Sequence, residues 1–424
     1  MATTRSFQAM LNDFLPNSLL KEEMVKRDFI LSKVEKDDTW VGSLGSSANG
    51  GALVVPFKSS SASSIASGSL TASGDIAEDE YVRGLVTVQP EIWGSLMFNH
   101  RDLMEHEKVS EKNFLKILPD SITDFMDYMK NVVSVNLLNG AHFAKVTTAT
   151  AVATGIVIVD RADRFVRNQK VIITTSTGFL TGYVKTINVN TGSVVLVTTR
   201  SGATTLDFSV GGADILALAK IYNDGFQTVA FSSLRDALLS AANGGSAALY
   251  GQTKLTYPYL QAINIDGAGV TLANMVEKLF NGFTTTRRLG KGNPTDIVMS
   301  YNNLGVVMSI VEASKGAYFV SPSSKKASQY GWTEISIGSV TNQELKFVGV
   351  QEMDDDIIIY LDWRALKFYS NGFFRKRKSP DGIEYFEVRA TTGFQYIVDV
   401  CLFGDLVVHR PSYCGIMYGI SLTY

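Results

Sequence analysis

The chain has 424 residues, of which 45% are apolar and 19% charged, and its 39 basic and 41 acidic side chains leave a net charge of −2. That apolar content excludes a disordered chain, the near balance of charge excludes wrapping of nucleic acid by bulk charge, and no apolar stretch is long enough for a spanning helix. Soluble domains carry about 25% charged residues, so apolar surface remains to be covered, by a large core in about two to three domains or by subunit interfaces.

The opening stretch has no basic segment followed by an apolar one, so neither secretion nor organelle import is expected. Residues 17–35, NSLLKEEMVKRDFILSKVE, begin on an Asn cap and set Leu19, Leu20, Met24, Phe29 and Ile30 near helical spacing. This predicts an amphipathic N-terminal helix or arm. Residues 59–74 include eight serines, a composition that buries no core and predicts an extended excursion. The flanks GALVVPF and EYVRGLVTVQPEIWGSLMF alternate apolar and polar residues, so residues 47–98 read as one long β-hairpin with a Ser-rich tip. Its downstream leg is preceded by the acids Asp75, Glu78, Asp79 and Glu80.

After Pro119, Asp120 or Ser121 can cap a helix in which Ile122, Phe125, Met126, Met129, Val132, Val133 and Leu137 form a wide apolar stripe. Asn139 and Gly140 supply its left-handed stop, and a helix over residues 101–118 can join it through a kink at Pro119. Residues 145–215 are rich in Val, Ile and Thr with hairpin-spaced turns, which predicts a small antiparallel barrel or sandwich inserted into the chain. Beyond it, Leu234, Ala237, Leu238 and Ala241 predict one helix, and Leu272, Met275, Val276, Leu279 and Phe280 another, capped by Thr271 and stopped at Gly282. A buried strand at residues 297–299 leads into a third helix over Leu304, Val307, Met308 and Val311, and the last hundred residues read mostly as strands.

The chemistry-bearing residues are sparse. His100, His106, His142 and His409 make no ligand spacing and read as solvated or capping histidines. Cys401 and Cys414 form neither a metal nor a redox motif and read as buried thiols. Asp354, Asp355 and Asp356 lack the phosphate cradle that a nucleotide–metal site requires, and read as a solvated acidic turn. Residues 287–292, RRLGKG, lack the phosphate-loop pattern and read as an exposed basic loop. Arg375, Lys376, Arg377 and Lys378 read as a turn between strands that is solvated, makes a weak, salt-sensitive phosphate or nucleic-acid contact, or clamps a neighbour's carboxylates such as Asp75, Glu78, Asp79 and Glu80. No nucleophile, acid–base pair, metal or cofactor site is identified, so no enzymatic activity is expected.

The order of parts resembles the major capsid proteins of tailed bacteriophages, the Hong Kong 97 type fold. The resemblance rests on the arm, the long Ser/Gly-rich excursion with GGALVVPF, a long helix ending in NLLNG, a segment containing NPTDIVMS, and closing strands. It implies an α+β fold with an N-arm (1–46), an E-loop (47–98), the spine helix and start of the P-domain (99–144), an inserted β-domain (145–215), mainly A-domain (216–342), and P-domain strands returning through the A-domain (343–424). It further implies a shell subunit with no reaction of its own, found in the virion and assembled in the host cytoplasm. The implied partners are copies of itself in hexameric and pentameric capsomers, portal, scaffolding and cement proteins, and packaged double-stranded DNA read without sequence specificity; no membrane is implied. The competing readings are an encapsulin-like nanocompartment shell, a nucleotide-dependent enzyme such as a glycosyltransferase, and a phage tail or adhesion protein.

Overall fold

The computed structural model describes residues 22, 24–26, 28–37, 53–60, 80–86, 91–99, 111–147, 155–176, 178–200, 202, 204–206, 215, 218–227, 231–313, 334–338, 344–370, 374–377, 383, 385–390 and 393–422. The mixed α+β chain forms two units, one of Met1–Gln89, Leu234–Phe386 and Val398–Tyr424, the other of Pro90–Ser233 and Glu387–Ile397.

In the first unit the apolar runs Asp296–Met299 and Ile357–Leu361 are buried at every position, as strands covered on both faces must be. They lie at the centre of a six-stranded mixed sheet whose order is 263–266, 415–418, 357–361, 296–299, 344–349, 334–338. Helices Met275–Gly290 and Tyr301–Ala313 close one face. Met275, Leu279, Leu304 and Val307 pack there with Ile297, Met299, Phe347, Ile358 and Tyr360. The first of these helices runs through Gly282, where a stop was expected. A Cβ at that position would overlap the phenol oxygen of Tyr360, which donates to the Leu279 carbonyl at 3.2 Å. Glycine is therefore there for close approach to a strand, and the helix ends at Lys291, whose φ of 60° makes the left-handed cap. Arg287 and Arg288 consequently occupy the last helical turn, not a loop.

A smaller sheet in this unit joins Glu35–Asp37, Leu366–Tyr369 and Asp405–Val408, with the first pair parallel. The N-terminal segment enters it through the short helix Phe29–Lys33, capped by Asp28, whose carboxylate accepts from the Leu31 amide at 2.7 Å. Met24, Ile30, Leu31 and Val34 are buried. Asn17, the expected cap, lies outside the described residues.

In the second unit one helix runs from Glu111 to Asn139, 29 residues. It passes through Pro119 at the loss of one backbone bond, so Asp120 and Ser121 are interior and not caps. All side chains from residue 132 to 139 are buried, and Gly140 at φ 105° ends the helix as expected. The strand Glu91–Asn99 crosses it, and Gly94 is where a side chain would collide with Phe125 and Met129. That strand pairs with Gly393–Phe403 and not with the hairpin, which corrects the expectation that residues 91–98 prolong the ribbon.

The Val/Ile/Thr-rich region forms a sheet of order 144–145, 220–223, 170–174, 179–188, 193–197, 156–158, antiparallel throughout. It closes on itself through the antiparallel bridge of Val146 to Val159 and the bond from the Thr147 amide to the Ile158 carbonyl, 2.9 Å. A small barrel results, and its strand Lys220–Asn223 lies beyond residue 215, the expected limit. Val132 and Val135 of the long helix and Phe143 share its core with Val157, Phe165, Ile173, Val184 and Leu196. Phe143 and Phe165 meet edge to face at 5.4 Å and 90°.

Candidate functional site

The ribbon is the element with most to explain, because two strands alone are marginal in water. Leu53–Ser60 and Glu80–Val86 pair antiparallel from Leu53↔Val86 to Ser60↔Glu80. Leu53, Val55 and Phe57 on one leg and Gly84 and Val86 on the other are buried, while Pro56, Tyr81, Arg83 and Leu85 are exposed. The buried side is held by Tyr250. Its ring stacks on Phe57 at 5.5 Å and 9°, its carbonyl accepts from the Leu85 amide at 2.9 Å, and Gln252 donates to the Arg83 carbonyl at 2.9 Å. The Tyr250 hydroxyl then accepts from the Val408 amide at 3.0 Å and donates to the Leu406 carbonyl at 3.2 Å. Tyr250 and Gly251, at φ 51° and 80°, form the two-residue turn between Ala248–Leu249 and Gln252–Thr253. A tyrosine in that backbone conformation costs about 1 kcal/mol or more, which its three attachments offset. Gly84 leaves room for the stack, since a Cβ would overlap the Phe57 ring. No motif marks Tyr250; only the pairing of the hairpin positions it.

The N-terminal strand is fixed a short distance away. Lys367 reaches Asp37 at 2.9 Å and Glu35 at 3.3 Å, Ser370 donates its amide to the Asp37 carbonyl at 2.9 Å, and Phe29 meets Trp363 edge-on at 5.5 Å. On the same strand Tyr369 bonds His409 Nε2 at 2.9 Å, and the His409 ring lies 6.4 Å from Phe57. His409 is thus not the solvated histidine expected, and neither is His142, which is buried; His100 and His106 lie outside the described residues. Burial, then the charges of Lys367 and Arg410, hold the imidazole below its ordinary pKa, against the weaker pull of Glu35 and Asp37. The unfolded chain therefore takes up this proton first. The stability due to neutral His409 is fully present above about pH 6.5 and drains away as pH falls through the lowered folded value. The melting temperature of the wild type is expected to drop between neutral pH and pH 5 by more than that of His409→Gln; parallel profiles would contradict this.

Arg375 and Lys376 lie in a strand, not a turn. Phe374–Lys376 pairs with Leu402, Cys401 and Val400. The alternation sends Lys376 inward, 2% exposed, and Arg375 outward, where its guanidinium lies 4.7 Å over the Phe403 ring. Arg377 approaches Asp399 at 3.7 Å. Lys376 is therefore unavailable to a neighbour. Lys378, Asp75, Glu78 and Asp79 lie outside the described residues, and Glu80 is placed by its backbone only.

Asp354, Asp355 and Asp356 are not a solvated turn. Arg235 spans Asp354 at 3.3 Å and Asp356 at 3.0 and 2.8 Å, while Asp355 accepts from Asn302 at 2.9 Å and its carbonyl from Asn303 at 3.0 Å. The guanidinium bridges two of the three carboxylates, and among the described residues no group of His, Cys, Asp and Glu suits a metal ion. Asp354 is 4% exposed, so Arg235→Ala takes the paired cation from a buried carboxylate, and a loss of about 3 kcal/mol is expected by denaturant unfolding. An unchanged midpoint would show the pair to be inert. Lys254 is likewise structural: its ammonium caps the Asp236 and Leu239 carbonyls at 2.7 and 2.9 Å, and burial pulls its pKa to about 8. Both cysteines are buried and unbridged, with burial raising Cys414 to about 12.

Among the described residues no helix is long and apolar enough to cross a membrane. No family model and no curated protein matches the chain. Solved structures that align with it include the "Cyanophage A-1(L) capsid asymmetric unit", with 13% identity, 99% of each chain covered and a TM-score of 0.49. The "Satellite phage P4 procapsid including size determination (Sid) protein" aligns at 11% identity over 96% of this chain and 91% of that one, TM-score 0.39. The holo-SrpI encapsulin complex from Synechococcus elongatus PCC 7942 aligns at 6% identity over 99% and 93%, TM-score 0.40.

Proposed function

We propose that this chain is the structural subunit of a closed icosahedral shell, a major capsid protein of the Hong Kong 97 type, with no reaction of its own. The observation that carries the reading is the ribbon root. A hairpin that a monomer has little use for is clasped by Phe57, Tyr250 and Gln252 while Tyr81 and Leu85 stay 61% and 40% exposed. Between its legs run residues 61–79, too rich in serine to form a core. A rigid root with an apolar outer side suits an arm laid across a second copy. The strand Glu91–Asn99 adds to this with Trp93 and Met97, 46% and 51% exposed on its outer side. In this reading the hairpin with residues 61–79 between its legs is the E-loop, shortened from the expected 47–98 by the strand Glu91–Asn99, the long helix is the spine, and the barrel an insertion; portal, scaffolding and cement proteins, and double-stranded DNA within the virion, are its further partners.

Negative-stain microscopy of the purified full chain tests this directly. Closed shells are expected, and a monodisperse monomer or dimer stabilised by nucleotide would replace the reading with an enzymatic one. Shells isolated with an enzyme inside, and never with DNA, would favour the nanocompartment. Within the shell, Asp75, Glu78, Asp79 and Glu80 of one copy pair with Arg375, Arg377 and Lys378 of the next. Arg375→Glu with Arg377→Glu should cut the yield of particles, and reversal of the four acids should restore it; normal particles from the first variant alone would remove the clamp.

A further inference from the structure

The rings of Tyr369, His409, Phe57 and Tyr250 follow one another across the first unit. Tyr369 meets the His409 ring at 5.7 Å and bonds its Nε2, His409 lies 6.4 Å from Phe57, and Phe57 stacks on Tyr250. At one end Lys367 sets its ammonium 5.7 Å over the Tyr369 ring while Glu35 and Asp37 of the N-terminal strand grip it. At the other end is the root of the ribbon, with Phe57 1% exposed. Within this row the imidazole is the group whose ordinary titration lies near pH 6.5.

Its surroundings treat a proton unequally. Burial disfavours the charge first, then Lys367 on the neighbouring strand and Arg410 in the same segment, whereas Glu35 and Asp37 favour it more weakly. The Tyr369 phenol contributes a hydroxyl, and the ribbon contributes only the apolar ring of Phe57. A protonated His409 is therefore a cation set between two aromatic rings, in the field of two further cations.

The backbone decides which neighbour yields. The His409 amide is tied to the Ala365 carbonyl at 2.7 Å and the preceding Val408 amide to the Tyr250 hydroxyl at 3.0 Å. Tyr369 belongs to a strand paired on both sides, with Glu35–Asp37 and with Asp405–Val408. Neither the imidazole nor its phenol partner can withdraw without breaking that sheet. Phe57 stands on a two-stranded ribbon, an arrangement marginal in water, so it is the neighbour that can leave.

We propose that His409 is a proton-operated latch for the ribbon: as the neutral imidazole it seats Phe57, and on taking up a proton it lets residues 53–57 and 84–86 lift from Tyr250 while the sheets beneath stay folded. The latch lies within one subunit and goes beyond the shell reading; in a shell it makes the setting of the ribbon sensitive to pH. Opening returns the ring to water, where it takes up a proton near its ordinary pKa. The opening constant therefore rises by up to about tenfold for each pH unit below about 6.5, until the closed form itself protonates.

Hydrogen exchange of the full chain from neutral pH to about pH 5, corrected for the intrinsic rate at each pH, tests the latch. The ribbon amides at residues 54–57 and 82–85 should lose protection by about tenfold relative to those of Ile357–Leu361, a strand buried at every position. His409→Gln, which cannot take up the proton, should remove this pH dependence. Glu35→Gln with Asp37→Asn removes the acids that favour the proton and should move the loss to lower pH. A ribbon that stays protected, one that loses protection together with Ile357–Leu361, or one whose response survives in His409→Gln overturns the proposal. Where the His409→Gln ribbon is already open at neutral pH, the carboxylate variant decides: an unmoved midpoint refutes the latch. Particles are counted in the same samples, so that absence of shells refutes the shell reading and leaves the latch to the exchange data.

Discussion

Phe57→Ala is expected to remove about 3–5 kcal/mol of stability and to abolish closed particles. Phe57 is 1% exposed, stacks flat on Tyr250 and fills the space that Gly84 leaves open. Truncation takes the aromatic surface out of the root and leaves a cavity that backbone pairing between two strands cannot collapse. Tyr250 would then hold its costly left-handed turn without the stack that Phe57 supplies, keeping its hydroxyl bonds to Leu406 and Val408 and its carbonyl bond to Leu85. The two effects separate by variant. Tyr250→Phe keeps the stack and loses the hydroxyl bonds, leaving the Val408 amide and Leu406 carbonyl unpaired, so a smaller loss of about 1–3 kcal/mol is expected with particles retained. Circular dichroism melts and particle counts for both variants decide the matter. Normal shells from Phe57→Ala would show that the root does not position the ribbon.

Local pattern made several elements legible. The stripe from Ile122 to Leu137, the Asn139–Gly140 stop, the alternation of GALVVPF and the all-apolar 297–299 each depend on residues close in sequence, and the structure bears them out. What was misread depended on partners far along the chain. Asp354 to Asp356 look solvated until Arg235, more than a hundred residues earlier, is brought against them. Gly282 looks like a stop until the Tyr360 phenol claims its space. The strand Glu91–Asn99 has the alternation of a ribbon leg, yet alternation sets a face and not a partner, and it pairs with Gly393–Phe403. The basic run reads as a turn because four charges in a row suggest solvent. Alternation hides Lys376 while leaving Arg375 and Arg377 outside. Tyr250 and His409 carry no motif, since each gains its role from segments that meet only in the fold.

Removal of residues 147–213 is expected to prevent the second unit from folding, not to yield a trimmed but sound subunit. The deletion spares Ala144 and Lys145 with their partners Ile221 and Lys220, and the Val146 amide bonds the Ala219 carbonyl at 2.9 Å, so the strands flanking the cut are already paired and loop closure is not the obstacle. The obstacle is the shared core. Val132 and Val135 of the long helix and Phe143 pack against Val157, Phe165, Ile173, Val184 and Leu196, all of which the deletion removes. Each large apolar side chain returned to water costs about 1.5–3 kcal/mol, so these three alone cost about 4.5–9 kcal/mol, against a typical domain stability of about 5–15 kcal/mol. The Phe143 carbonyl also loses the Arg164 guanidinium at 2.8 Å. Aggregated product is expected from the deletion, and the point variant Phe165→Ala, which opens the Phe143 edge-to-face contact, should remain soluble with stability lowered by about 3–5 kcal/mol. Soluble deletion protein with an unaltered melt and normal particles would make the barrel a passenger. Loss of particles from Phe165→Ala at temperatures where it stays folded would instead mean that barrel packing positions the long helix for assembly.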